Sequence, residues 1–165
     1  MHRQLLALAA ALTVVVPRSS AAAQGTDVYR LVIGTWELNV AKSHLSGDAP
    51  KSLTRTYEAS GDGVKYTDKT VDAEGKPVVD FEFTGKYDGK DYPVTFLGPG
   101  FTQAMKATDP FRSSFIVKKD GKVVVSGTRV ISRDGRIMTI REKETDAKGQ
   151  TTNTVLVFER VGTGH

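Results

Sequence analysis

The sequence predicts an all-β protein, an antiparallel up-and-down β-barrel of about ten strands, and three observations predict it. Turn signals recur: Asp62-Gly63, Glu74-Gly75, Asp88-Gly89, Asp120-Gly121, Asp134-Gly135 and Lys148-Gly149 stand 12 to 14 residues apart, with one double-length gap. Asp-Gly is a strong hairpin signal because tight primed turns need positive φ, which glycine adopts without steric cost. Between the turns apolar and polar residues alternate, most cleanly Val79, Phe81, Phe83 and Tyr87 against Asp80, Glu82, Thr84 and Lys86. Third, no segment among the strands is long enough for a crossover helix, which argues against parallel α/β folds. An up-and-down sheet leaves two edges, and closure into a barrel removes them. A β-sandwich or an open curved sheet is the competing solution.

Residues 1–23 read as a secretory signal peptide. Met1-His2-Arg3 is a basic start, Leu5 to Val16 is a 12-residue apolar run, and Ala21-Ala22-Ala23 offers small residues for cleavage before Gln24. The run is too short to cross a bilayer core of ~30 Å comfortably. The expectation is a single domain over 24–165, periplasmic or secreted, with no membrane span in the mature chain. Val28 to Ile33 is expected as a short helix or lead-in covering a barrel end. The expected strands are Gly34 to Val40, Ser52 to Ser60, Val64 to Asp72, Val78 to Tyr87 and Tyr92 to Leu97, then Thr102 to Thr108, Phe111 to Lys119, Val123 to Arg133, Ile137 to Thr145 and Thr152 to Val161. Ala41 to Pro50 is rich in breakers and reads as a loop. Gly98-Pro99-Gly100 and Asp109-Pro110 supply the two turns of the long gap.

Composition narrows the function. After removal of residues 1–23 the chain keeps 21 basic and 19 acidic residues, a net charge of about +2, interspersed rather than blocked. Such a balance does not favour nucleic acid as a partner. The absence of cysteine excludes thiol catalysis, disulfides and thiolate zinc sites, and leaves stability to the core. His44 is the one histidine between the signal segment and the last residue. It has no nucleophile motif beside it, and with Glu37 and Asp48 it shows no metal-ligand spacing, so no catalytic, metal or cofactor residues are assigned. Gly98-Pro99-Gly100 opens no helix and is no phosphate loop.

The two ends of the chain carry a resemblance. Ile33-Gly34-Thr35-Trp36-Glu37-Leu38 resembles the Gly-x-Trp opening strand of the calycin superfamily, the lipocalins and fatty-acid-binding proteins. Val157-Phe158-Glu159-Arg160-Val161 is similar to the closing strand of the fatty-acid-binding proteins. The chain also resembles small exported bacterial proteins of lipocalin-like type. The resemblance implies that Trp36 closes one end of the barrel and that Arg160 packs across it, a sensible cation–π pair. Two departures stand beside it. Ala41 to Pro50 has no room for the helical pair that fatty-acid-binding proteins place between their first two strands. Leu156 and Phe158 occupy the positions where those proteins carry Arg-x-Tyr, the anchor of the lipid carboxylate.

Alternation points Leu53, Arg55, Tyr57 and Ala59 to one face. An interior arginine needs a partner, so Arg55 either binds the acidic head of a ligand with Tyr57 or sits near the rim or pairs with an interior acid such as Asp68. Arg129 and Arg141 have the same two readings. Tyr66, Phe81, Phe83 and Phe115 line the interior, as filled core or as a cavity wall. Glu142 and Glu144 are expected on a solvated face. The leading expectation is a monomeric carrier or sensor that binds a small hydrophobic or amphipathic ligand without chemistry. The alternatives are an envelope protein-interaction module with a filled barrel, docking around Phe96 to Phe101, and an enzyme on the same scaffold.

Overall fold

The computed structural model describes residues 28–162; the expected signal peptide lies outside them. A short helix over 28–32 leads into ten strands: β1 (Gly34–Leu38), β2 (Ser52–Ser60), β3 (Gly63–Val71), β4 (Phe81–Gly85), β5 (Asp88–Pro93), β6 (Phe101–Asp109), β7 (Arg112–Lys119), β8 (Lys122–Ile131), β9 (Ile137–Thr145) and β10 (Thr151–Arg160). They form one antiparallel sheet in the order β4-β3-β2-β1-β10-β9-β8-β7-β6-β5. The decisive non-neighbour pairing is β1 with β10, where Trp36 faces Arg160 and Leu38 faces Phe158. It joins the two chain ends and curls the meander into a nearly closed barrel. No helix among the described residues is long and apolar enough to cross a membrane.

The turns follow the chemistry of their residues. Lys119 pairs with Lys122 across Asp120 (φ 50°) and Gly121 (φ 80°), the double positive φ of a type I′ turn. The first hairpin turns one residue earlier than expected: Ser60 pairs with Gly63, and Gly61 (φ 58°) takes the positive angle, so Gly63 already belongs to β3. Asp88-Gly89 is a larger departure. It is no hairpin turn, because Asp88 already pairs with Lys106 of β6 and a bulge follows before Asp91.

The strands around that point are correspondingly shorter than expected. Val78 to Tyr87 contracts to β4, and Tyr92 to Leu97 is replaced by β5 and a 3-10 turn, Thr95–Leu97. The physical reason is that β4 and β5 are the two edges of the sheet. Pro77 and Pro93 lack the N–H a central strand needs, and the bulge turns β5 away from flat edge pairing. Side chains close the seam instead. Phe81 meets Phe96 edge-on, with ring centroids 5.4 Å apart, and Tyr92 packs against the bare Cα of Gly85.

One end of the barrel is sealed. Val28 and Val32 of the short helix are buried, and the Trp36 indole donates to the Val32 carbonyl at 2.8 Å. The Arg160 guanidinium lies 4.1 Å from the Trp36 ring centroid. It donates to the carbonyls of Leu31, Ile33 (2.6 Å) and Gly135 (2.7 Å). This explains the glycine of the Gly-x-Trp motif: Gly34 has φ +127°, and a Cβ there would fall 2.7 Å from Arg160 Nη1. Inward residues near this base, Trp36, Met138, Ile140 and Phe158, are 0% exposed. Toward the other end, the inward positions Leu53 of β2, Phe81 of β4, Val125 of β8 and Leu156 of β10 are only half-buried. The barrel interior is therefore fully covered at the Trp36 end and part-exposed toward the other, the base and the mouth of a cup.

Candidate functional site

Charged and phenolic side chains converge between the solid base and the open mouth. Pairing of β2 with β3 sets Arg55 opposite Asp68 and Tyr57 opposite Tyr66. Arg55 is 8% exposed, and its Nε and Nη2 donate to the two Asp68 oxygens at 2.6 Å each. The same guanidinium covers the rings of Tyr66 and Phe158. Burial is the largest single influence and acts against its charge, but Asp68, joined by the Tyr57 and Tyr66 phenols, more than offsets it and holds the Arg55 pKa well above its ordinary value. Of the two readings of Arg55, the structure holds the salt bridge; its bidentate fork already grips a carboxylate.

Arg129 is different. It is 2% exposed, on β8, facing inward. Its Nη1 donates to Tyr87 Oη at 3.0 Å and, weakly, to Ser113 Oγ at 3.5 Å. Its guanidinium lies over the rings of Tyr57 (5.3 Å) and Phe115 (5.8 Å). Among the described residues no carboxylate pairs with it, and both Arg129 Nε and the Tyr57 hydroxyl are buried without a hydrogen-bond partner. A guanidinium does not deprotonate, and an uncompensated buried charge is costly. Arg129 Nε lacks an acceptor, and the adjacent Tyr57 hydroxyl is also unpaired.

Two nearby phenols, Tyr87 and Tyr66, are held protonated by burial. Burial pushes Tyr87 up to about 12 although the Arg129 cation opposes it, and burial likewise raises Tyr66. Tyr66 donates across the barrel to Gln103 Oε1 at 3.2 Å. Phe83 is buried against Tyr66, and Phe81 stacks on Tyr66 nearer the mouth. Phe115 folds flat over Gly127 of the neighbouring strand, where any Cβ would strike its ring. Trp36 and Arg160 lie at the sealed base.

β9 corrects two expectations. Glu142 shares the inward face with Met138 and Ile140 and is half-buried, so it does not belong to a solvated face; Glu144, one step nearer the mouth, is exposed. Burial is the largest influence on Glu142 and raises its pKa; Arg55 and Arg129 pull the other way without cancelling it. Arg141 points outward and is exposed. Both faces of this strand carry apolar residues, and a one-residue change of parity exchanges every side chain between faces. Alternation puts Tyr87 on the face of Phe81 and Phe83 without giving it a role, and Ser113 and Gln103 are not singled out by sequence. Their signal was alternation alone: Ser113 keeps step with Phe115 and Val117, and Gln103 with Met105 and Ala107.

An open groove of about 480 Å³ runs over β7 to β10, lined mainly by outward residues such as Ser114, Ser126, Arg141 and Lys143, with Phe115 and Glu142 of the inward set also bordering it. His44 makes a backbone bridge to Val155 on the same outer wall. The described residues contain no group of three metal-ligating side chains.

Solved structures share this architecture. A Schistosoma mansoni fatty acid binding protein in complex with arachidonic acid superposes with a TM-score of 0.56 at 14% identity, over 82% of this chain and 99% of that one. What the two share is the fold, an antiparallel up-and-down β-barrel. As-p18, an extracellular fatty acid binding protein, superposes with a TM-score of 0.51 at 12% identity, over 79% of this chain and 96% of its own. No protein-family model and no curated protein sequence matches the chain. Within this barrel, the β1–β2 connection holds the 3-10 turn Val40–Lys42 and the His44 bridge. That is the short connection the length of Ala41 to Pro50 implies.

Proposed function

We propose that the protein is an exported, monomeric, non-catalytic carrier or sensor that binds a small amphipathic molecule in the barrel, with its anionic head at Arg129. The observation that carries this reading is the buried Arg129 guanidinium, without a carboxylate partner among the described residues and with a free Nε beside the free Tyr57 hydroxyl. The half-buried inward residues Phe81, Val125 and Leu156 offer an apolar wall from that head group to the mouth. The two solved structures named above are both of fatty acid binding proteins, which favours the same class of ligand.

Titration of the mature protein with decanoate, followed by displacement of an anionic apolar fluorophore, tests the reading. Saturable binding is expected, and Arg129→Met is expected to weaken it at least about tenfold, since a charge-assisted hydrogen bond contributes ~1.5–3 kcal/mol. Absence of binding, or equal affinity in the variant, overturns it. Export is tested separately: protein recovered from the periplasm or medium is expected to begin at Gln24, and an intact Met1 there contradicts the signal reading. One observation favours a second reading. Val78, Val79, Phe96 and Leu97 are exposed apolar residues around the mouth, as an envelope interaction module would present them.

A further inference from the structure

Four charged side chains of the described residues face the cup interior below its rim: Arg55, Arg129, Asp68 and Glu142. Arg55 and Asp68 neutralise each other at 2.6 Å. That leaves Arg129 and Glu142 as the remaining pair of opposite charges. β8 pairs with β9 so that Arg129 faces Ile140 and Gly127 faces Glu142. Arg129 and Glu142 are therefore diagonal neighbours on one face, a spacing of ~7–8 Å that long side chains reach across. Glu142 is the one nearer the open mouth. Its carboxylate makes no ion pair among the described residues.

We infer that Glu142 is the internal counter-anion of Arg129, and that an anionic ligand takes over this role as Glu142 takes up a proton. This rests on the ligand reading above and names the regulation of the same site. With Glu142 ionised, the interior is neutral and the barrel tolerates Arg129 without a ligand. A bound anion then adds a second negative charge beside the first in a low-dielectric space, where like charges repel strongly. Protonation of Glu142 removes that repulsion. The groups facing Glu142 set the balance: burial first favours the neutral acid, Arg55 and Arg129 favour the anion, and Asp68 and Glu144 favour the neutral acid again, so the group already titrates above its ordinary value of 4.5. The remaining lumen faces near it, Gly127 and Phe115 on β8 and β7 and Thr154 on β10, bring no charge. Ligand binding raises the Glu142 pKa further, so affinity is highest at low pH and falls as pH rises through the value of the ligand-free protein.

Calorimetric titration with decane-1-sulfonate tests this, because a sulfonate head stays ionised and the ligand contributes no proton of its own. Binding measured in two buffers of different ionisation enthalpy is expected to show uptake of up to about one proton per ligand. Affinity is expected to fall by up to about tenfold per pH unit above the Glu142 midpoint. Glu142→Gln is expected to abolish the uptake, flatten the pH profile and bind more tightly at neutral pH, whereas Glu144→Gln keeps the wild-type uptake. Binding by the wild-type protein without proton uptake overturns the inference and leaves the ligand reading standing; so does uptake that persists in Glu142→Gln, which would point to His44 or another group. Because the wild-type measurement stands alone, a variant that folds poorly does not shield the inference. A wild-type protein that binds no decane-1-sulfonate at any pH overturns the ligand reading and this inference together.

Discussion

Asp68→Ala is expected to destabilise the protein by about 3–5 kcal/mol, the usual cost of removing one partner of a buried ion pair. Arg55 sits with its side chain 10% exposed, and the Asp68 side chain is 13% exposed. Neither alternative partner is good. The rings of Tyr66 and Phe158 offer only their faces, and Glu142 stands too far away to form an ion pair in the native arrangement. The deletion therefore strands a charge that cannot lose its proton. The double variant Arg55→Met/Asp68→Leu is expected to recover most of the loss, because a buried pair replaced by apolar groups of similar volume is often neutral. Urea denaturation of the two single variants and the double variant closes the cycle. Single-variant losses below about 1 kcal/mol, the scale of an exposed pair, are incompatible with this account.

Trp36→Ala is the other large effect, with an expected loss of about 3–5 kcal/mol from the cavity it opens. Trp36 is 0% exposed and anchors three things at once: the helix over 28–32 through the Val32 carbonyl, the β1–β10 closure opposite Arg160, and the stacked Arg160 guanidinium itself. Trp36→Phe keeps most of the buried area but orphans the Val32 carbonyl, so a smaller loss of about 1–2 kcal/mol is expected. Thermal and urea denaturation followed by far-UV circular dichroism measure both. A Trp36→Phe loss equal to that of Trp36→Ala would show that the hydrogen bond, not the filled base, holds this end.

Most of the fold was readable because its signals are local. A glycine at positive φ, as at Gly75, Gly121, Gly135 and Gly149, is a property of a turn and its immediate neighbours, so turn spacing counted the strands. The helix at the base and the pairing of the two ends were legible from Val28 to Ile33 and from Trp36 with Arg160. The errors cluster where the outcome depends on distant chain. Asp88-Gly89 has the composition of a hairpin, yet β5 answers to β6 and the seam to β4 is made by Phe81, Phe96, Tyr92 and Gly85. Likewise Glu142 and Arg141 are adjacent residues on a strand with two apolar faces, and only packing against β8 and β10 decides which of them enters the barrel.

The amino-acid sequence by itself determined that this chain is an antiparallel meander of ten strands with a tryptophan-sealed end and arginines among its inward-facing residues. Turn chemistry, alternation and end motifs act over a few residues, and sequence records them directly. Tertiary structure decided how the interior charges divide. Arg55 and Arg129 occupy equivalent-looking positions in alternating strands, but Asp68 stands directly across from Arg55 and no carboxylate among the described residues stands directly across from Arg129. Which cation is satisfied and which is left for a ligand depends on the register between strands, a distance of a few ångströms that no single strand contains.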